Sequence, residues 1–308
     1  MKKLVFILVI FGLIGCMDLI QPPVNNELIG KVSIISPLGI PYLAVAPLKA
    51  NTNIQMENVS GTENLQAALV GKTYDIVIAP INLGAKLYNA GKSSYKLVAP
   101  ITYNNSYIVA RSHLPLASID DLIGQKVIAF GEMGIPGSVL KKIYTDNSKL
   151  DIANVDYTLK SSANVYASFL GEGNNDSYAL MSEPEISKLK IIKKIDVKTL
   201  DLCSVLGANV PQAAVFVNPD SNLKDVDAVL KIIEDNIKAL NDNPTSYADK
   251  VLAIDEHFFS SIGREVIIGM IPNANIKYGV QTVKEDCANI LAILGISGVA
   301  DEFYYQKA

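Results

Sequence analysis

Tyr74-Asp75-Ile76-Val77-Ile78-Ala79-Pro80 is the stretch whose reading decides the fold. Four apolar residues run on from Ile76 without alternation and stop at a proline, the pattern of a short strand covered on both faces. Such strands sit inside largely parallel sheets flanked by helices. The helix pattern Leu65-Gln66-Ala67-Ala68-Leu69-Val70-Gly71 precedes it, and a helix pattern from Asn82 follows. An echo recurs downstream. Val165-Tyr166-Ala167-Ser168-Phe169-Leu170-Gly171 leads through Tyr178-Ala179 to a strand that stops at Pro184. In both copies the glycine reads as a helix C-cap and the proline as a strand stop.

Working outward, residues 31–36, 54–59, 74–79 and 96–102 read as strands, with helices at 40–49, 62–70 and 82–90 between them. A second unit has strands at 107–111, 126–130, 155–159 and 178–181. Its helices lie at 136–144 and 162–170, with a capping box at Ser118-Ile119-Asp120-Asp121. A strand at 190–197 and the apolar strand Ala213-Ala214-Val215-Phe216-Val217 follow. The rest is mostly helical. Val226, Val229, Leu230, Ile233 and Ile237 form a stripe at helical spacing, Pro244 opens a helix, and Thr282-Val283-Lys284-Glu285 reads as a capping box. This tail is too apolar to stand alone and is expected to return over the first unit. The class is α/β with two mixed sheets. One lobe is built from 31–103 and 211–308 and the other from 104–210, joined by crossings near 103–106 and 209–212 around a hinge cleft.

The N-terminus bears on location. Met1-Lys2-Lys3 precedes an apolar run from Leu4 that is too short for a comfortable membrane span. It ends at Leu13-Ile14-Gly15-Cys16, which resembles the bacterial lipobox. Residues 1–15 then form a signal peptide and Cys16 is diacylated. Residues 16–30 form a flexible spacer, and the protein is held at the extracytoplasmic face of the cell membrane.

Charge and rare residues exclude several classes. The chain carries 27 Lys+Arg against 31 Asp+Glu, and removing Lys2 and Lys3 makes it more acidic still, which argues against nucleic acid. With only His113 and His257, a His-based metal site is improbable, and no cofactor is implied. Cys203 and Cys287 lie far apart without a CxxC spacing; they either pair as a disulfide outside the cytoplasm or, the favoured reading, stay buried free thiols. Arg111 and Arg264 are the only arginines, so a bidentate clamp on a fully charged anion is hard to assemble.

In open α/β sheets, ligands bind beyond the carboxyl ends of the strands. Those ends here are Ser36-Pro37-Leu38-Gly39, Ala79-Pro80-Ile81-Asn82, Gly131 to Ser138, and Ser182-Glu183-Pro184. Pro37-Leu38-Gly39, Tyr74-Asp75-Ile76-Val77-Ile78-Ala79-Pro80, Leu122-Ile123-Gly124-Gln125-Lys126-Val127 and Ala179-Leu180-Met181-Ser182-Glu183-Pro184, in this order behind a lipobox, carry a resemblance. From residue 31 to about 294 the chain resembles the extracytoplasmic substrate-binding proteins of ABC importers, in the nitrate, sulfonate, taurine and thiamine-precursor branch. The resemblance implies a type II periplasmic-binding-protein-like fold and a monomer that hands a small molecule or oxyanion to a permease and its ATPase.

The ligand-binding candidates are Leu38, Gly39, Tyr42, Asn82, Tyr103, Gly134, Gly137, Ser138 and Glu183. Gly134, Gly137 and Ser138 either present N–H groups and a hydroxyl to an anion or simply form a capped glycine turn. Asn82 donates to ligand or caps its own helix. Tyr42, Tyr103 and Tyr166 form an aromatic wall or pack in the interior. Glu183 accepts from ligand N–H groups, the favoured reading, or caps backbone donors of the next helix. Arg111 lies at the far end of its strand and reads as a surface residue. An enzyme related to thiamine-pyrimidine synthases is the main rival, but the cysteine-rich motif and active-site His of that group are not matched. A receptor or adhesin without transport is the third reading.

Overall fold

The computed structural model describes residues 28–307, which form two five-stranded mixed sheets. Ten strands run in chain order: β1 Val32–Pro37, β2 Ile54–Val59, β3 Ile76–Pro80, β4 Lys96–Pro100, β5 Tyr107–Arg111, β6 Val127–Ile128, β7 Val155–Asp156, β8 Tyr178–Met181, β9 Val197–Asp201 and β10 Ala213–Val217. The first sheet has the order β2-β1-β3-β10-β4 and the second β7-β6-β8-β5-β9. In each, four strands run one way and the strand in fourth place, which arrives directly from a crossing, runs against its neighbours: β10 against β3 and β4, β5 against β8 and β9. The echo in the sequence thus has a counterpart in strand order, because the helices Glu63–Gly71 and Ser162–Phe169 precede equivalent strands.

β3 is buried as its composition demands. Ile76 and Ile78 face one apolar cluster while Val77 and Ala79 face the other. The helix Leu223–Asp242 lays Val226, Val229, Leu230, Ile233, Ile237 and Leu240 on the first cluster, each such burial worth about 1.5–3 kcal/mol. The other cluster runs across both sheets. Its bridge is the helix Val283–Ile293, whose Cys287, Ile290 and Leu291 are buried with residues of both units. The tail therefore covers the first sheet and also splices it to the second, through contacts with Ile81–Asn89, β4 and Ile135–Asp146. A lobe here means one sheet with the helices packed on it.

Several local expectations give way. Residues 188–192 form a wide helical turn closed by Lys193 N donating to Lys188 O, and the strand begins only at Val197. The turn serves two bodies: Leu189 packs inside the second lobe, whereas Ile191 packs on the first. Gly71 stays helical, and Lys72 takes the left-handed cap at φ 53°. Thr282 does not cap its helix, because its hydroxyl donates to Asp286 instead. The box at Ser118 forms, on a 3₁₀ turn. The signal segment, Cys16 and most of the spacer lie outside the described residues. From Leu28 the chain is docked, with Leu28 buried and the Ile29 and Gly30 N–H groups donating to Asp225 at 2.8 and 3.0 Å.

Candidate functional site

Register places the strand ends. β10 begins at Ala213 opposite Pro80, the last residue of β3, and β5 begins at Tyr107 opposite Met181, the last of β8. The carboxyl ends of the parallel strands of both sheets therefore lie at the level of the two crossings. Those crossings pair with each other: Asn104 N donates to Val210 O at 2.7 Å and Gln212 N to Thr102 O at 2.8 Å. A third segment lines the pair, through Tyr103 N to Asn275 O and Lys277 N to Ile101 O. Asn104 and Asn105 take positive φ of 52° and 46°, a conformation asparagine tolerates better than most residues.

The predicted residues divide. Leu38 is exposed and Gly39, at φ 101°, has open space where a Cβ would stand, so this turn is free to meet a ligand. Asn82 lies in the first turn of Ile81–Asn89, and its Oδ1 is buried without a hydrogen-bond partner among the described residues. Tyr42 and Tyr103 lie beneath the surface. Both are fully buried, their hydroxyls held by Asp255 and Asp286, so neither offers a ring face to a ligand in this structure. The turn 131–138 uses part of its donor set on itself. Gly134 N and Gly137 N both donate to Gly131 O, and Ser138 N donates to Gly134 O, so the three residues expected to offer N–H groups spend them within the turn.

Glu183 is 4 % exposed and its Oε2 accepts from Ser187 N at 3.0 Å, so it caps the following turn. Its backbone N–H donates to Asn105 Oδ1 at 2.7 Å, which ties the end of β8 to a crossing. Glu185, two residues on, is also buried and lies 3.8 Å from Lys188. Burial lifts both carboxyls above the usual carboxylate range, against the pull of Ser187 on the first and Lys188 on the second. Arg111 points away from the strand ends, its guanidinium stacked on Phe169 and donating to Phe169 O. Tyr166 is half-buried at the rim of the second core.

Sequence reasoning missed Asn58, Asn105, Ser162, Glu185 and Asp286. Asn58 ends β2 opposite Ser36, and both its amide atoms are buried without a partner among the described residues. Ser162 opens a helix and accepts from Ser182 N at 3.0 Å. β2, Ile54-Gln55-Met56-Glu57-Asn58-Val59, is half polar, so nothing in it singles out Asn58. For Asp286 only Thr282 lies nearby in sequence, and its other partners are 183 and 77 residues away. Cys203 and Cys287 are buried and unpaired. Among the described residues, no cluster of His, Cys, Asp and Glu could hold a metal, and no helix is long and apolar enough to cross a membrane.

No protein-family profile matches the chain, and no curated protein matches it in sequence. Solved structures do. An ABC transporter protein from Parabacteroides distasonis superposes with a TM-score of 0.73 at 18 % identity, over 90 % of this chain and 99 % of that one. The periplasmic aliphatic sulphonate binding protein of Escherichia coli gives 0.70 at 12 % identity, over 90 % and 92 %. The ligand-binding component of an ABC-type import system from Staphylococcus aureus, solved with zinc bound, gives 0.66 at 16 %, over 90 % and 96 %. With its two mixed sheets, flanking helices and paired crossings, this chain has the periplasmic-binding-protein-like fold of ABC substrate-binding proteins.

Proposed function

We propose that the protein is the solute-binding component of an ABC importer, held at the extracytoplasmic membrane surface by a diacylated Cys16, and that it works as a monomer. The observation that carries this is the placement of the strand ends: both sheets bring theirs to the same pair of crossings, where Leu38, Gly39 and Asn82 from one lobe and Ser138 and the 183–185 segment from the other lie. Closing on a small molecule from two sides favours the closed form through contacts to both lobes. Asn58 and Asn82 supply amide groups still lacking partners among the described residues. With two arginines in the chain and the Gly134, Gly137 and Ser138 N–H groups internally used, a neutral, heteroaromatic or weakly anionic solute fits better than a fully charged phosphate. Delivery to a permease and its ATPase completes the reading. Tyr42 and Tyr103 support this site from inside, and Gly134 and Gly137 shape the second-lobe turn.

A thermal-shift and native mass spectrometry screen against vitamins, pyrimidines, sulfonates and inorganic anions tests the binding role, since a solute that binds only the folded state raises Tm. One class should raise it and show one bound molecule per chain. No shift from any class, with folded protein, would overturn the reading. Cys16→Ala should leave the product unlipidated and out of the detergent phase, and fatty-acid labelling of that variant would refute the anchor.

A further inference from the structure

Both crossings converge on one buried carboxylate. Asp286, 4 % exposed in Val283–Ile293, accepts from Tyr103 Oη at 2.9 Å, from Asn209 Nδ2 at 3.1 Å and from Thr282 Oγ1 at 2.7 Å. Tyr103 belongs to the first crossing and Asn209 to the second. Lys277 closes the cluster, its Nζ 4.0 Å from the centre of the Tyr103 ring and 3.3 Å from Asn209 Oδ1. A carboxylate stripped of water keeps its charge only where donors surround it, and losing one of them leaves that charge poorly compensated. Two of the donors here stand on the strands that must twist when the lobes move.

The backbone bonds between residues 102–104 and 210–212 fix the crossings to each other. They do not fix the pair against the helix. That helix is the body both lobes share, because it packs on Ile81–Asn89 and β4 on one side and on Ile135–Asp146 on the other. We propose that Asp286 is the positioning residue of the hinge: by holding Tyr103 and Asn209 at once, it sets the paired crossings against the shared helix and so defines the resting angle between the lobes. Rotation of either crossing breaks a short, directional bond to a charge, which makes the resting angle a discrete state. The mechanical claim needs no solute; its meaning for uptake rests on the binding role proposed above.

The test measures interlobe distances by double electron–electron resonance in the full chain without solute. Cys16→Ala removes the lipidated thiol, Cys203 and Cys287 are buried, and spin labels go on Lys92→Cys in one lobe and Lys126→Cys in the other, both exposed positions. Asp225→Asn is the control. Asp225 is 2 % exposed and accepts three hydrogen bonds, all within the first lobe. Tyr103→Phe, Asn209→Ala and Asp286→Asn should each broaden the distance distribution and shift its mean. Asp225→Asn should lower Tm and keep the parent distribution. Unchanged distributions in folded Tyr103→Phe and Asn209→Ala overturn the proposal, and so does equal broadening in Asp225→Asn, which would make the effect general loss of stability. Failure of every solute to bind would leave these distances as they are and remove only the link to uptake.

Discussion

Gly279→Ala should be costly, for a reason confined to one contact. The backbone at Gly279 is not in the left-handed region, so alanine suits it conformationally, yet its Cβ would stand 1.6 Å from Tyr103 Oη and 2.8 Å from Cζ. Neither side can retreat freely. Gly279 N is bonded to Pro100 O at 3.0 Å, Tyr103 N to Asn275 O at 3.1 Å, and Lys277 covers the ring. Overpacking of this kind costs about 1–3 kcal/mol. If the phenol swings away, Asp286 also loses a hydrogen bond, and one to a charged group is worth about 1.5–3 kcal/mol. The two together come to about 2.5–6 kcal/mol, and on a chain of this size Tm should fall by roughly 4–10 °C. Thermal unfolding followed by circular dichroism reads it directly. Repeating the substitution in a Tyr103→Phe background removes the 1.6 Å clash but leaves Cζ at 2.8 Å, so the cost should shrink by about 1–2 kcal/mol without vanishing. A fall in Tm within about 1 °C of zero, or the same fall in both backgrounds, would refute the reasoning.

Three further outcomes follow from the same geometry. The folded pKa of Glu183 is raised, so the folded state gains while the carboxyl is protonated and loses that gain as pH rises through the raised value. Glu183→Gln mimics the protonated form and can still accept from Ser187 N. It should therefore match the parent near about pH 4 and gain in relative Tm towards about pH 8, and a Tm difference independent of pH would contradict this. In Gly137→Ala the new Cβ would meet Gly131 O at 2.2 Å, a backbone atom, so the turn must shift at a cost of about 1–3 kcal/mol, checked by urea unfolding against the parent. Burial raises both thiols, Cys287 to about 11, so a thiol reagent should label neither in native protein and both in denaturant; rapid native labelling would show the sites open.

What the sequence revealed was whatever depends on near neighbours along the chain. β3 and β10 were legible because a short apolar run has one economical use, a strand covered on both faces. The stripe on Leu223–Asp242 was legible because helical spacing repeats locally. The strand expected at 190–197 begins only at Val197, because 188–192 wind into a helical turn that buries Leu189 on one lobe and packs Ile191 on the other, a division the sequence does not show. At the site, the exposed Leu38-Gly39 turn and the Asn82 oxygen, without a partner among the described residues, stand at strand ends. The glycines at 134 and 137 read either as donors to a ligand or as a capped turn, and Gly131 O takes both their N–H groups, a choice set by the closure of the turn. Tyr42 and Tyr103 read either as an aromatic wall or as interior packing, because a tyrosine near a strand end looks the same whether or not a distant aspartate holds its hydroxyl.

The order of strands in the first sheet also fixes when it can be finished. The second sheet draws all five strands from one unbroken stretch, 107–201, whereas the first needs β10, more than a hundred residues after β4, to fill the slot between β3 and β4. A chain emerging N-terminus first can therefore complete its middle before its beginning, with the earliest strands waiting on a late arrival. Pairings of such long sequence separation form slowly, and until they form, the facing edges of β3 and β4 present unpaired backbone groups. A chain stalled or cut between 206 and 213 carries one closed sheet beside one with an open slot, the species most exposed to pairing with a neighbouring molecule.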